Sequence, residues 1–207
     1  MTTANAAYSA AELEHQLRSS GATVLITCVP LLKTALEAAK GAGLNEKNIF
    51  LLDLPGFKVA NEAAKFTTIE TLIQDGESLS PLKPLRWSKG QGTRQAAFLC
   101  YSSGTSGLPK AVMISHYNII SNVIQQKLYD SIGRAKNGVE TQVISGFLPF
   151  SHIFALVVAC HSGTYRGDEV IVLPRFDFKH FLQAIQQYKL QQLFVVHTFS
   201  RPQSEHG

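Results

Sequence analysis

Tyr101-Ser102-Ser103-Gly104-Thr105-Ser106-Gly107-Leu108-Pro109-Lys110 lies between two apolar runs, Ala96-Ala97-Phe98-Leu99-Cys100 before it and Ala111-Val112-Met113-Ile114 after it. Seven of its ten residues are Ser, Thr, Gly or Lys. The pattern describes a hydroxyl- and amide-rich loop joining two strand-like segments, with a lysine at its exit. Glycines let a backbone approach a ligand closely, and successive N–H groups can form an anion-binding concavity. Hydroxyls add donors and the Lys110 ammonium adds positive charge, so a phosphate chain suits the loop. Two other phosphate or nucleophile loops fail on spacing. The nucleotide P-loop needs Gly-Lys five residues after its first glycine, where this chain has Pro109. A Gly-x-Ser-x-Gly elbow centred on Ser106 would need glycine at Leu108. An ordinary hairpin of turn formers with no ligand has the same composition, and that reading stays open beside the anion site.

Outward from the loop, strand-like and helix-like segments alternate. Ser9-Ala10-Ala11-Glu12 is a capping-box pattern opening a helix with Leu13 and Leu17 on one face. Thr23–Thr27 reads as a short buried strand, Pro30 starts a helix that ends at Gly41, and Ile49–Leu52 reads as a strand. That order predicts a parallel crossover. A short helix is expected over Thr68–Gln74 in an otherwise irregular stretch. Ser115 or His116 caps a helix through Ile119, Ile120, Val123, Ile124 and Leu128, with a loop over Gly133–Gly138. Val143–Leu148 is a strand, Val157–Cys160 helix-like, and Val170–Leu173 a strand. Asp177 opens a helix carrying Phe178, Phe181, Leu182, Ile185 and Tyr188, and Leu193–Val196 closes the series as a strand. The alternation predicts an α/β fold with a mostly parallel sheet and flanking helices.

Composition narrows the functional classes. The 207 residues are 45% hydrophobic and 16% charged, an ordered globular balance with one good-sized core. The net charge of +4 comes from dispersed Lys and Arg with no interleaved aromatics, so a nucleic-acid partner is not expected. Cys28, Cys100 and Cys160 lie far apart among apolar residues and are expected as buried reduced thiols. His161, His180 and His197 lack metal-ligand spacing, so no metal site is expected. There is no apolar run of membrane-spanning length, no secretory leader pattern and no peroxisomal signal at Glu205-His206-Gly207. A cytoplasmic location is the default expectation.

The ten-residue loop closely resembles the phosphate-binding signature of the adenylate-forming (AMP-binding) enzymes, among them acyl-CoA synthetases, 4-coumarate–CoA ligases and luciferases. Ala111 follows it where that family usually has glycine. Leu148-Pro149-Phe150-Ser151-His152-Ile153-Phe154-Ala155-Leu156 resembles the Pro-x-x-His-x-x-Gly segment of the acyl- and aryl-CoA synthetase branch, with Ala155 in the glycine's place. Tyr8–Leu13 resembles a segment of the same branch, so the likeness covers residues 8–196, with 4-coumarate–CoA-ligase-like proteins the nearest flavour. The resemblance implies that residues 8–196 are part of the large N-terminal adenylation domain, without the small C-terminal domain, and that 197–207 form an aberrant polar tail.

It further implies that Ser102, Ser103, Gly104, Thr105, Ser106 and Gly107 wrap the β- and γ-phosphates of ATP, that Lys110 neutralises them, and that Mg²⁺ and coenzyme A take part. His152 would lie near the acyl substrate and the adenylate, with Phe150, Ile153 and Phe154 as pocket walls. The residues taken alone also allow His152, Phe150 and Phe154 as ordinary core, Tyr101 as strand core, and His116 as a helix cap. The implied activity is that of an ATP-dependent acid–thiol ligase acting on a small carboxylic acid, with full-length relatives in cytoplasm or peroxisome. The family's aromatic-Gly-x-Thr-Glu and Thr-Gly-Asp signatures do not occur in these 207 residues, nor does its catalytic-lysine segment. A chain inactive on its own is therefore expected, prone to self-association through exposed sheet edges. The alternative expectation is a non-catalytic nucleotide- or anion-binding module that acts with a partner chain.

Overall fold

The computed structural model describes residues 1–54, 63–102, 108–173 and 176–196. They form two compact units, one of Thr2–Lys89 with Tyr101–Val112, the other of Met1, Gly90–Cys100 and Met113–Gly207.

In the first unit, α1 (Ala10–Ser20) starts at the expected capping box. Ser9 Oγ accepts from the Glu12 N–H at 3.3 Å, and Glu12 Oε2 accepts from the Ser9 N–H at 2.8 Å. The Ser9 N–H, and the Ser9 hydroxyl donating to the same oxygen at 2.7 Å, hold the Glu12 carboxyl below its usual pKa. Leu13 and Leu17 bury against Ala38 of α2 (Leu32–Ala42). This second helix follows a tight 3₁₀ turn over Val29–Leu31 and runs past Gly41 to end at Gly43, in the left-handed region at φ 73°. Gly41 is therefore not the stop; a Cβ there would run into the flexible end of the Glu14 side chain of α1, which would have to move aside. Strands β1 (Leu25–Thr27) and β2 (Ile49–Leu51) pair in parallel across this helix, as the order predicts. The expected buried strand is buried on one side only. Residues alternate faces along a strand, so Ile26 points away from the packed face and is 57% exposed. Helix α3 (Ile69–Glu77) begins at Thr68, whose hydroxyl accepts from the Thr71 N–H at 3.1 Å.

One helical turn, α4 (Gln91–Arg94), leads into β3 (Ala96–Ser102), which pairs with β4 (Lys110–Ser115); Tyr101, Ser102 and Lys110–Val112 of these strands belong to the first unit and their other residues to the second. Ser115 then caps α5 (His116–Lys136), reciprocating with Asn118 in a second capping box. His116 is the first helical residue, and its N–H donates to the Gln95 carbonyl at 3.2 Å. Strands β5 (Val143–Gly146) and β6 (Glu169–Val172) are parallel and are joined through a π-helix at Ala155–Ser162 and the turn α6 (Gly163–Arg166). Gly163 lets this connection lie directly on the strands, since a Cβ there would meet Ile144 Cδ1 at 2.9 Å. Helix α7 (Phe178–Tyr188) starts at Asp177, which caps the His180 N–H at 2.8 Å.

Three expectations need correction here. The Gly133–Gly138 loop is helix as far as Lys136, because the left-handed glycine that stops the helix is Gly138, at φ 63°, and not Gly133. The Leu193–Val196 strand reduces to one parallel bridge, Gln192 with Ile144. The ladder stops because the Phe194 N–H goes to the Ser145 hydroxyl at 2.9 Å and not to a backbone carbonyl. Of the three free cysteines only Cys100 is buried; Cys28 and Cys160 are partly exposed. The α/β class holds, distributed among the described residues over three two-stranded sheets.

The most tightly held polar group in the second unit is Asp168, whose side chain has no exposed surface. Arg134 grips it with two bonds of 2.8 Å, Arg166 Nε adds one of 2.7 Å, and the Gln142 N–H adds one of 3.0 Å. Arg166 also reaches Asp130 Oδ2 of α5 at 2.9 Å. Burial alone would push the Asp168 carboxyl up, but these donors outweigh it and hold the group below its usual value. A folded-state pKa below the unfolded one means stability that is present above the unfolded value and is lost as pH falls through the folded one. Asp168→Asn should therefore cost about 3–5 kcal/mol in urea unfolding at neutral pH, because two guanidinium groups lose their shared carboxylate. The gap between variant and parent should narrow below about pH 4, where the unfolded carboxyl begins to protonate.

Candidate functional site

The β3–β4 pair carries the stem of the polar loop. Ser102 ends β3 and Lys110 begins β4, and both are exposed. Ser103, Gly104, Thr105, Ser106 and Gly107 lie outside the described residues. Among the described residues no carboxylate pairs with Lys110, and an unneutralised cation beside a terminal serine fits a phosphate chain.

Both ends of the stem are tied to α1. Tyr101 is half-buried, with its hydroxyl 2.5 Å from Ser19 Oγ and donating to the Gln16 carbonyl at 3.3 Å. His15 Nε2 lies 2.9 Å from the Pro109 carbonyl oxygen. A carbonyl only accepts, so Nε2 carries the proton. The two rings meet edge-on, with centroids 6.3 Å apart. Tyr101 is thus anchored core, in keeping with the plainer of its two readings. His15 and Ser19 had no distinguishing signal beyond their spacing of four, which puts them on one helical face.

In the other unit, His152 sits on the turn between β5 and the π-helix. Its N–H donates to the Pro149 carbonyl at 2.9 Å, and its own carbonyl accepts from the Leu156 N–H at 3.1 Å. Ring Nδ1 accepts the Phe154 N–H at 3.2 Å. In the neutral ring the proton therefore resides on Nε2, and the exposed imidazole is left as a donor. This is not a core histidine.

Its aromatic neighbours divide differently. Phe150 packs against a cluster of Phe147, Leu148, Ala155 and Phe181, while Ile153 packs against Phe98, Cys100, Ile119, Val123, Leu156 and Val157. Both are partly buried, whereas Phe154 is exposed, at 38%, with its ring edge-on to Phe194 at 6.2 Å. Ala155, the residue in the glycine position, is 1% exposed, so its methyl is fully used in packing. The π-helix that begins there is closed by His161, whose Nδ1 donates to the Leu156 carbonyl at 2.7 Å. Burial pushes the Cys100 thiol up against a smaller opposing pull from the chain-terminal ammonium, which leaves it a poor nucleophile.

Among the described residues there is no group of His, Cys, Asp or Glu able to hold a metal, and no helix long and apolar enough to cross a membrane.

Comparison with known proteins places these features in a family. Residues 1–202 match the family described as AMP-binding enzyme. The acyl-CoA ligase cm3C of Cordyceps militaris is 36% identical over 192 residues, which cover 91% of this chain and 30% of that protein. The acyl-CoA ligase AKT1 of Alternaria alternata is 36% identical over 194 residues, covering 94% of this chain and 32% of that one. The chain thus spans about a third of the length of the curated relatives it matches. A red-emitting luciferase from Phrixothrix hirtus superposes on 96% of this chain and 46% of its own, with a TM-score of 0.75 at 21% identity, a likeness of fold.

An exposed Lys110 without a carboxylate partner should contribute little to folding. Lys110→Ala is expected to leave the unfolding free energy from urea titration within about 0.5 kcal/mol of the parent, so that any loss of phosphate binding in this variant is not a loss of fold.

Proposed function

This chain belongs to the AMP-binding enzyme family, and on that premise we propose that it is part of an ATP-dependent ligase that joins a small carboxylic acid to the thiol of coenzyme A. The observation that carries the reading is the run Tyr101–Lys110, with Pro149–His152 at the downstream position the acyl-CoA synthetase branch would have. Residues 8–196 serve as the partial adenylation domain. Ser102, Ser103, Gly104, Thr105, Ser106 and Gly107 hold the phosphates of ATP, and Lys110 balances their charge.

When the acid's carboxylate attacks the α-phosphate, pyrophosphate leaves and negative charge grows on it. Donors and a cation fixed in advance around that charge lower the barrier, because they need no reorganisation as it develops. Mg²⁺, when bound, supplies further charge neutralisation to the same oxygens. His152 presents an Nε2 donor to the acyl side, with its ring held by the Phe154 N–H. Phe154, partly open beside it, forms a wall of the acyl site.

The adenine-, ribose- and lysine-bearing segments of the family are not among these 207 residues. The chain by itself therefore binds phosphate without turning over. Carboxylate-dependent ATP–pyrophosphate exchange on the purified chain should be absent, and robust exchange overturns this part of the reading. Titration calorimetry with MgATP and with pyrophosphate should detect binding that Lys110→Ala weakens by about tenfold or more, as expected for a charge-assisted contact. Equal binding by parent and variant would remove Lys110 from the site. The unneutralised Lys110 also favours a second reading, a non-catalytic anion-binding module working with a partner chain. Exchange activity restored by a complementing chain would support it.

Short parallel strands with open edges and exposed apolar side chains on α5, such as Ile120 at 60%, Leu128 at 63% and Ile132 at 78%, favour self-association. Sedimentation velocity should show species larger than the monomer. A single monomeric boundary across micromolar concentrations would contradict it.

A further inference from the structure

We propose that His15 is a positioning residue for the phosphate loop, acting through the Pro109 carbonyl; the inference rests on the phosphate-binding reading of Tyr101–Lys110. The stem of that loop has one tie on each side, and both come from one face of α1. On the β3 side, the Tyr101 hydroxyl meets Ser19 Oγ at 2.5 Å and the Gln16 carbonyl at 3.3 Å. On the β4 side, the only tie to α1 among the described side-chain bonds is His15 Nε2 to Pro109 O at 2.9 Å. Tyr101 directly precedes Ser102, and Pro109 directly precedes Lys110. The two ties therefore act on the residues adjoining the first donor and the cation.

A rigid peptide plane explains how the second tie reaches Lys110. The Pro109 carbonyl and the Lys110 N–H share one plane, so directing the oxygen at α1 also fixes where the Lys110 Cα leaves the stem. Holding Tyr101 and Pro109 beforehand leaves less backbone freedom to be lost when Lys110 meets an anion, which is the advantage of preorganisation.

His15 is well placed for this and for little else. It is half-buried, its ring is held edge-on by Tyr101 at 6.3 Å, and α1 is itself fixed by the Ser9–Glu12 box and by Leu13 and Leu17. Phenylalanine at position 15 would keep the edge-on ring contact and lose the donor. Glutamine would keep an amide donor near the place of Nε2.

The test uses the full 207-residue chain with MgATP, and with pyrophosphate in a separate titration. His15→Phe should weaken both by about five- to tenfold, the range of one buried hydrogen bond, while His15→Gln stays within about threefold of the parent. Hydrogen exchange without ligand should be about tenfold faster in His15→Phe over Leu108–Val112 and unchanged over α2. Tyr101→Phe, which removes the other tie, should weaken binding by about two- to threefold and serves if His15→Phe does not fold.

Parent-like binding in His15→Phe, or parent-like exchange at Leu108–Val112, overturns the inference. Equal weakening in His15→Gln and His15→Phe overturns it too, since the donor would then not matter. If the parent binds neither ligand and Lys110→Ala changes nothing, the phosphate reading itself has failed. The functional half of the inference falls with it, and the exchange result still decides whether His15 holds the stem.

Discussion

Asp168 has no exposed side-chain surface and is shared by the guanidinium groups of Arg134 and Arg166. A buried carboxylate survives only where donors surround it, and here four bonds converge from the end of α5, from α6 and from the Gln142 backbone. It ties the last turns of α5 to the segment before β6, while the helix itself stops at Asn137 and the left-handed Gly138. It also fixes the start of β6, where Glu169 follows directly, and the entry to β5 at Gln142. Long α5 in turn begins at Ser115, the last residue of the β4 strand that leaves the polar loop. The loop's exit strand therefore runs without a break into a helix whose far end is clamped by charge.

The first unit constrains the loop differently, through α1. The capping box sets where that helix starts, the Leu13–Leu17 stripe sets which side faces α2, and what remains is the face carrying His15 and Ser19. Hydrogen bonds at the stem, not ion pairs, make the connection, and among the described residues no carboxylate pairs with Lys110. That division suits an anion site: a salt bridge at Lys110 would compete with the ligand, whereas a carbonyl acceptor at Pro109 leaves the ammonium's charge intact.

Local chemistry made much of this legible beforehand. Ser9 with Glu12, Ser115 and Asp177 are all caps in fact, because a cap depends on residues within one turn. The parallel crossover from β1 to β2 followed from strand, helix and strand with short joints. The family, too, could be read from one ten-residue run and one histidine motif. What could not be read were ends and faces. Gly41 looked like a helix stop and lies inside the helix, which ends at Gly43; Gly133 looked like a loop and is helix; Leu193–Val196 looked like a strand, but its Phe194 N–H goes to the Ser145 side chain.

The sequence by itself determined the α/β class, most of the helix starts, the membership in the AMP-binding enzyme family and the identity of Lys110 and His152 as residues of interest. These depend on neighbours within a few positions, or on a motif whose spacing is its meaning. Only the tertiary structure decided that His15 and Ser19 hold the stem of the loop, that Asp168 is the shared ion of the second unit, and that His152 presents Nε2 with Nδ1 already bonded. His15 reaches across 94 positions and Arg134 across 34. No period in the sequence encodes such distances, because they arise only when helices that bury their own apolar stripes bring the opposite faces into contact with the strands.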